Sequence, residues 1–253
     1  MQLKSFVVLF VVVIAVAFAI TAGAQVVTDG LVSYWSFEDG DVTDQVGTND
    51  GTVVGDPETV AGHVGANAMK FDGNDAITFP MDGFPVGNEP RTWSGWFKRE
   101  VSDGGASQYI AAYGTWDGKG NGFGVATRGG DQIFIAQWGL DTVGPTVSLG
   151  EWHYVAAVYD GTADIIYLDG AEVTNNVLGE PINTQMGNGA IGANPDPNEF
   201  MEGLIDDVGL YNRALSAEEA TQNYEARAGL ESMTSVESAG KLTSTWAKMK
   251  SGK

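Results

Sequence analysis

The sequence contains no cysteine among its 253 residues and only two histidines, His63 and His153. Disulfides, thiolate zinc sites, cysteine nucleophiles and a lipid-modified cysteine are therefore excluded, and a metal centre built on several histidines is not expected. Basic residues are also scarce, since 13 Lys and Arg stand against 33 Asp and Glu, for a net charge of −20. This balance argues against nucleic acid as a partner, because phosphates are bound by clustered Lys and Arg.

Long apolar runs are absent except for one at the N-terminus. Lys4 precedes an unbroken run of 15 apolar residues, 6–20, which the small residues Ala22-Gly23-Ala24 follow. This order is typical of a secretory signal peptide, with cleavage expected before Gln25. The run is shorter than the ~20 residues that span a bilayer comfortably. The sequence therefore predicts an exported protein, secreted or held at the cell surface or in the periplasm, with no spanning segment after cleavage.

The mature chain has a uniform β texture over about 31–211. Short β-rich runs alternate with Gly, Asp and Asn turns, and no helical pattern separates them. The runs are 31–37, 76–79, 92–98, 109–113, 122–126, 132–136, 153–159, 163–168 and 203–211. This spacing favours an antiparallel sandwich or barrel over a parallel sheet. Asp169-Gly170 is a hairpin signal between two of the later strands.

One helix and a tail follow the strands. Ser216 and Glu219 have the spacing of a capping box, and good helix formers continue to about Ala228, before Gly229 as a stop. The predicted organisation is a signal peptide at 1–24, one domain with its closing helix at 25–229, and a basic tail at 230–253. The tail is interpreted either as a frayed end or as a docking segment for an acidic surface.

Eight short motifs occur in a fixed order along this region. They are Trp35-Ser36-Phe37-Glu38-Asp39, 44–51, 68–75, 92–97, Gly150-Glu151-Trp152-His153-Tyr154-Val155-Ala156 with Tyr159-Asp160-Gly161, Tyr167-Leu168-Asp169-Gly170, 203–208 and 211–216. Together they resemble the LamG-like jelly rolls of the concanavalin A-like lectin/glucanase superfamily. The resemblance implies an all-β fold, a two-sheet antiparallel jelly-roll sandwich with a short C-terminal helix and tail.

Catalytic patterns are missing. Relatives of this fold that cleave β-glucans carry paired carboxylates on one strand as E-x-D-x-E or E-x-D-x-x-E, and no such segment exists here. A serine triad needs a histidine together with an acid and a nucleophile. We expect His153 to be a partly buried strand residue and His63 to lie in an exposed glycine-flanked loop. The sequence therefore predicts a protein that is not an enzyme, with a glycoside hydrolase as the least favoured class.

The resemblance also implies a structural calcium ion near the ends of the first and last strands. Calcium takes six to eight oxygen ligands that usually converge from loops. The residues that match the family's positions are Glu38 or Asp39, Asn49, Asp75 and Asp206. Strand alternation places Asp206 and Asp207 on opposite faces, so only one of them is expected to contact the ion.

Aromatic residues in loops offer a surface for sugars, which stack on Trp and Tyr and hydrogen-bond to polar side chains. Trp116, Arg128, Gln137 and Trp138 lie in loops or at strand ends and are the predicted ligand contacts, whereas Trp35, Trp93, Trp96 and Trp152 are expected in the core. The sequence predicts a secreted non-catalytic module that binds carbohydrate or another extracellular polymer, with structural calcium. The alternative is an adhesion domain that binds a protein partner.

Overall fold

The structure is a computed structural model that describes residues 24–102 and 104–226, so most of the predicted signal peptide and the whole basic tail lie outside the described residues. The secondary-structure elements of the described part are β1 (Leu31–Trp35), β2 (Thr52–Val54), β3 (Glu58–Ala61), β4 (Asn67–Asp72), β5 (Ala76–Phe79), β6 (Arg91–Arg99), β7 (Gln108–Gly114), β8 (Gly122–Arg128), β9 (Gln132–Ala136), β10 (Thr142–Thr146), β11 (His153–Tyr159), β12 (Ala163–Leu168), β13 (Ala171–Val177), β14 (Asn188–Ile191), β15 (Glu202–Tyr211) and α1 (Ala217–Glu225).

The strands form two antiparallel sheets. Sheet A has eight strands in the order β13-β12-β11-β6-β15-β4-β3, and β1 pairs with the second half of β15. Sheet B has seven strands in the order β10-β9-β8-β7-β14-β5-β2. The predicted two-sheet antiparallel jelly roll is therefore confirmed, and the helix is short and C-terminal as predicted.

The core lies between the two sheets and is rich in aromatic rings. Trp35 and Trp93 are completely buried there, with ring centroids 6.4 Å apart, and Phe79 lies 4.5 Å from Trp35. The predictions for Trp35 and Trp93 are confirmed. Trp96 is also buried, but it belongs to a second apolar cluster on the outer face of sheet A, where Trp152 is only partly buried.

A buried cation crosses one end of this core. Arg91 is completely buried, and all five of its N–H groups donate: Nε to the carbonyl of Glu89, Nη1 to the carbonyl of Pro85 and the hydroxyl of Tyr113, and Nη2 to the carbonyls of Val86 and Gly87. The guanidinium therefore fixes the 85–89 loop to β6 and β7 through acceptors rather than through a carboxylate.

A β-bulge changes the predicted direction of one acid. Asp206 pairs with Trp96 and Gly209 with Ser94, so two residues of β15 stand opposite one residue of β6, and Asp207 has a φ of 50°. Ile205 and Val208 both point into the core, which leaves the two intervening acids on the outer side of sheet A. The expectation that Asp206 and Asp207 face opposite ways is corrected, because the bulge interrupts strand alternation.

The outer face of sheet A is covered by α1 and by the segment that precedes β1. The capping box is confirmed, since the Ser216 side chain accepts from the N–H of Glu219 and the Glu219 side chain accepts from the N–H of Ser216. Asn223 of α1 accepts from the N–H of Val27, whose carbonyl accepts from the hydroxyl of Tyr211. The two ends of the domain are thus joined. Of the helices in the described part of the chain, none has the length and apolar character needed to cross a membrane.

Candidate functional site

The outer face of sheet B carries a row of small side chains across six strands. The registers align Thr52 of β2, Thr78 of β5, Ala190 of β14, Ala112 of β7, Gly124 of β8 and Ala136 of β9 in one line. We call this line the transverse row. At a strand spacing of about 4.8 Å it extends about 24 Å. A Cβ on Gly124 would lie only 2.6 Å from the Cβ of Ala112, so the row requires glycine there.

Aromatic rings cover one half of the transverse row. Tyr109, Trp116 and Phe134 pack with Ala112, Ala126 and Ala136 in an apolar cluster on this outer face. Trp116 is only 9% exposed and packs edge-on against Tyr109 at 5.4 Å. The predicted ligand contact Trp116 is therefore mostly a packing residue, although its Nε1–H is buried without a partner.

The end of the row on β2 and β5 is open and lies in a groove. A cavity of about 370 Å³ is lined by Thr52, Thr78, Phe79, Pro80, Asn188, Pro195 and Pro197. Hydroxyl and amide groups from β2, β5 and β14 line it together with the rings of the three prolines, whereas the ring of Phe79 points into the core, and none of the lining side chains is charged. We call this cavity the sheet B groove. A larger depression of about 710 Å³ beside α1 is bounded by Ala24, where the described part of the chain begins.

Two of the predicted ligand residues lie at the far end of the same sheet. Trp138 follows β9, is 54% exposed and has a left-handed φ of 49°, a conformation that is costly for a bulky residue. Arg128 lies 4.2 Å above the ring of Phe134, and its Nη1 is 2.8 Å from Oδ2 of Asp141. Of these two predicted ligand residues, Trp138 is the more accessible to solvent.

Gln137 is placed differently from the sequence expectation. Its side chain is completely buried, and its Nε2 donates to Oδ1 of Asp164 at 2.9 Å. The hydroxyl of Thr142 donates to the other oxygen of Asp164 at 2.7 Å and accepts from Asn176 at 2.9 Å. Burial raises the pKa of Asp164 to about 7, although these two hydrogen bonds favour its charged form. Gln137 is thus corrected to a residue of the interior, because strand alternation turns it away from the outer face.

The five predicted calcium ligands have separate partners. Asn49 is buried; its side-chain amide donates to Ser33 and to the carbonyl of Asp82, and its side-chain oxygen accepts from the N–H of Asp82. Asp75 accepts from the N–H groups of Asp56 and Asp72, and Asp39 is exposed. The buried side chains of Asn49 and Asp75 therefore each stabilise a separate turn through their hydrogen bonds.

Only Glu38 and Asp206 come together, on either side of the 62–66 loop. Glu38 accepts from the N–H of Ala66, and Oδ2 of Asp206 accepts from those of His63 and Val64. Burial raises the pKa of Asp206 to about 7, with a smaller contribution from the charge of Glu38. Oδ1 of Asp206 is buried without a partner, but within 24–102 and 104–226 no three His, Asp or Glu side chains are arranged to hold a metal ion. The residues therefore do not fit the implied calcium ion.

The two histidines have aromatic and polar neighbours. His63 is exposed as expected and stacks near Trp96 and Trp152, with ring centroids at 4.1 and 5.3 Å. His153 is partly buried, as the sequence predicts, but its ring also joins two polar residues. Its Nε2 lies 2.8 Å from the hydroxyl of Ser148, and its Nδ1 lies 2.8 Å from Oδ2 of Asp169. The sequence indicated no polar partners for His153, and the structure places a hydroxyl and a carboxylate against its ring.

The residues of the sheet B groove were also missed. Thr52, Thr78 and Asn188 lie on three strands that are distant in sequence, and isolated Thr and Asn residues form no motif. The run Asn194-Pro195-Asp196-Pro197 is the one available signal, because closely spaced prolines predict a rigid loop.

Comparisons with known proteins agree with this fold. A family model described as the concanavalin A-like lectin/glucanase superfamily, Laminin_G_3, matches residues 71–221. Domain 4 of AbnA, an extracellular arabinanase from Geobacillus stearothermophilus whose structure contains arabinotriose, superimposes with a TM-score of 0.64 and 22% identity, over 80% of this chain and 100% of that domain. A comparison with curated proteins found no match.

Two further solved structures are similar over part of their length. Trypanosoma rangeli sialidase gives a TM-score of 0.61 at 18% identity, over 79% of this chain and 33% of the sialidase. The binding domain of Paraclostridial Mosquitocidal Protein 1 gives 0.61 at 14% identity, over 78% of this chain and 52% of that domain. The present chain thus corresponds to about one third of the sialidase and about half of the toxin's binding domain. The family match and the jelly-roll architecture together show that the chain belongs to the Laminin_G_3 family of the concanavalin A-like lectin/glucanase superfamily.

Proposed function

We propose that this protein is an exported recognition module that binds an uncharged oligosaccharide in the sheet B groove. The observation that carries the proposal is the lining of the groove, which combines the hydroxyls of Thr52 and Thr78 and the amide of Asn188 with proline rings. Ligand sites commonly combine apolar walls with a few polar groups that fix orientation. A sugar offers the matching surfaces, with C–H faces for the rings and hydroxyls for the polar groups.

The transverse row favours a ligand that lies flat on the sheet. Thr52 and Thr78 have short side chains and line the groove, so the backbone of β2 and β5 can be approached closely. The prolines at 195 and 197 form a wall of fixed conformation, which lowers the entropy lost on binding. The groove is therefore suited to a short glycan segment rather than to a single buried ring.

The groove supports binding rather than glycosidic cleavage. Glycosidases of either stereochemical class need a pair of carboxyl groups, about 5–9.5 Å apart, on the two sides of the scissile bond. The groove lining contains no carboxyl group at all. The arabinotriose in the similar arabinanase domain adds support for a neutral sugar, and the predicted signal peptide supports an extracellular ligand.

The proposal is tested by titrating the protein with arabinan fragments and a panel of neutral oligosaccharides in a calorimeter. The variant Thr78→Val keeps the shape of the side chain and removes its hydroxyl, and Asn188→Ala removes the amide. Each is expected to weaken binding about tenfold or less, the effect of one or two hydrogen bonds. Thr146→Val on the edge strand β10 is the matched control and should bind like the unmodified protein.

Two results would contradict the proposal. One is saturable sugar binding that Thr78→Val and Asn188→Ala leave unchanged, which would place the site elsewhere. The other is the absence of binding across the whole neutral panel while an acidic sugar binds, which would contradict the uncharged lining as the basis of selectivity.

A further inference from the structure

A second polar cluster lies away from the sheet B groove, at the start of β11. The hydroxyl oxygen of Ser148 is 2.8 Å from Nε2 of His153, and Nδ1 of the same ring is 2.8 Å from Oδ2 of Asp169. The second oxygen of Asp169 accepts from the N–H of Tyr154 at 2.8 Å, which fixes the carboxylate. A hydroxyl, an imidazole and an oriented carboxylate are thus connected in that order.

The loop that carries the serine is fixed on both sides. The N–H of Val147 donates to the carbonyl of Asp131 at 2.9 Å, and the N–H of Gly150 donates to the carbonyl of Arg99 at 2.8 Å. Ser148 itself is exposed, whereas His153 is largely covered. A rigid loop that presents an accessible hydroxyl to a held imidazole is the arrangement that an activated nucleophile needs.

The carboxylate determines which nitrogen of His153 carries the proton. In the neutral ring, Nδ1–H donates to Asp169, so Nε2 is left as the acceptor of the Ser148 hydroxyl proton. In the structure the Ser148 hydroxyl donates its proton to Oε2 of Glu151 at 2.5 Å, so Glu151 competes with His153 for that proton. The serine therefore has two acceptors within reach, and His153 is the one whose opposite side is paired with a carboxylate.

We infer that Ser148, His153 and Asp169 form an acyl-transfer site that hydrolyses carboxylic esters. Ser148 is the nucleophile, His153 the general base and acid, and Asp169 a positioning residue for the imidazole. This activity goes beyond the proposed sugar binding, since its residues belong to β11, the loop before it and the β12–β13 turn, and none of them lines the sheet B groove.

Ester hydrolysis at this site uses water as the second substrate. The Ser148 oxygen forms a bond to the acyl carbon, and its proton moves to Nε2 of His153. The carbon–oxygen bond to the alcohol then breaks, and His153 returns the proton to the leaving alkoxide. Water attacks the acyl-serine, gives one proton to Nε2 and releases the acid, and that proton restores the Ser148 hydroxyl. Asp169 remains charged throughout and stabilises the imidazolium.

The test uses the purified protein with a fluorophosphonate probe, which phosphonylates only activated serines, and with p-nitrophenyl acetate as the ester. We expect the probe to label the peptide that contains Ser148, and Ser148→Ala to lose both this label and the ester hydrolysis. His153→Gln should lower the labelling rate at least about 100-fold, the usual contribution of a general base. Ser102→Ala is the matched control, because Ser102 is exposed and donates to a carboxylate, that of Asp131.

The remaining variants distinguish a catalytic role of these residues from a purely structural chain of hydrogen bonds. Asp169→Asn should lower kcat of ester hydrolysis with little change in KM, because the imidazole loses the carboxylate that orients it, whereas Glu151→Gln should keep the labelling. Circular dichroism checks that each variant is folded. The inference is overturned if the folded protein does not label at Ser148, or if His153→Gln labels as fast as the unmodified protein.

Discussion

The indole ring of Trp116 lies directly over Gly122, so close that a Cβ on this glycine would come within 2.8 Å of the ring atom Cε2. The ring occupies the surface that glycine leaves free, and with Tyr109 and Phe134 it covers the half of the transverse row on β7, β8 and β9. The groove lies at the other end of the row, where Thr52 and Thr78 line it and are not part of this aromatic cluster. Trp116 therefore sets the length of the exposed binding face.

Replacing Trp116 should lengthen the groove at a cost in stability. Trp116→Ala removes a nearly buried indole and is expected to lower the free energy of unfolding by about 3 kcal/mol. Longer oligosaccharides should bind at least as well as they do to the unmodified protein, since the row beneath the ring becomes accessible. Urea denaturation and calorimetry with oligosaccharides of increasing length measure the two effects. Loss of binding together with unchanged stability would show that Trp116 is a ligand contact instead.

Trp138 should behave in the opposite way. Its ring is 54% exposed and its φ is 49°, so removal of the ring costs little packing while the backbone strain persists in any residue other than glycine. Trp138→Gly is therefore expected to be about 1 kcal/mol more stable than Trp138→Ala in urea denaturation. Equal stability of the two variants would contradict the left-handed conformation, and equal weakening of sugar binding in both would identify the ring as a contact.

The stability of the protein should fall as the pH rises from about 4 to 7. Burial raises the pKa of Asp164 to about 7 in the folded state, above the value of about 3.9 for an unfolded chain. In this window the folded protein binds the proton more tightly, so acid stabilises it, by at most about 1.4 kcal/mol per pH unit. Urea denaturation at a series of pH values measures the slope.

Asp164→Asn provides the comparison for this pH effect. The variant keeps a side-chain oxygen for the Nε2 of Gln137 but has no charge to bury, so its stability should change less steeply between pH 4 and 7. Asp206, whose pKa is also raised to about 7 mainly by burial, contributes a slope of the same sign and remains in the variant. An identical pH dependence of the two proteins would show that Asp164 is not buried as described.

Calcium should not change the melting temperature. The predicted ligands are used in separate turns, and the side chain of Asn49 makes three hydrogen bonds to Ser33 and Asp82. We expect the same melting temperature in EDTA and in added calcium chloride, and Asn49→Ala should lower it by the same amount in both. A reversible rise of several degrees with calcium, lost in Asn49→Ala, would restore the ion to the description of the fold.

The stability of the protein should depend more on the five N–H donors of the Arg91 guanidinium than on its charge. Arg91→Lys keeps the charge but has at most three donors for acceptors that now receive five hydrogen bonds. At least two of these buried or partly buried acceptors lose their partner, so the variant should lose about 3 kcal/mol in thermal or urea unfolding. Arg128→Lys, a half-exposed residue paired with Asp141, is the control and should change stability by less than about 1 kcal/mol.

The central strands were predictable from sequence, and the edge strands were not. The interior of β11 is covered on both faces, so this strand has a continuous apolar sequence. The predicted bounds of β11 and β12 both match the structure. By contrast, β2 and β13 are edge strands whose residues are mostly exposed, so their sequences lack the alternation on which prediction depends. The capping box of α1 was found because it depends on two residues with a fixed spacing.

The candidate sites were harder to predict because they depend on register and on bulges. Gln137 was expected at the surface and lies in the interior, since one position along a strand reverses the face of a side chain. Asp207 joins Asp206 on the outer side of sheet A because a bulge adds a residue that no sequence pattern marks. The contact between Ser148 and Asp169 through His153 requires the turn after β12 to fold back on the start of β11, which only the pairing of these strands establishes.

The junction of Val27 with Asn223 and Tyr211 fixes how the domain faces its surroundings. Because the N-terminal segment and α1 meet on the outer side of sheet A, the chain enters and leaves on the side opposite to the sheet B groove. The two ends of the described part, residues 24 and 226, therefore both lie on the side of sheet A. Immobilised through either end, on a bead or in a tandem array, the domain would display its groove outward and remain free to engage a polymer lying in front of it.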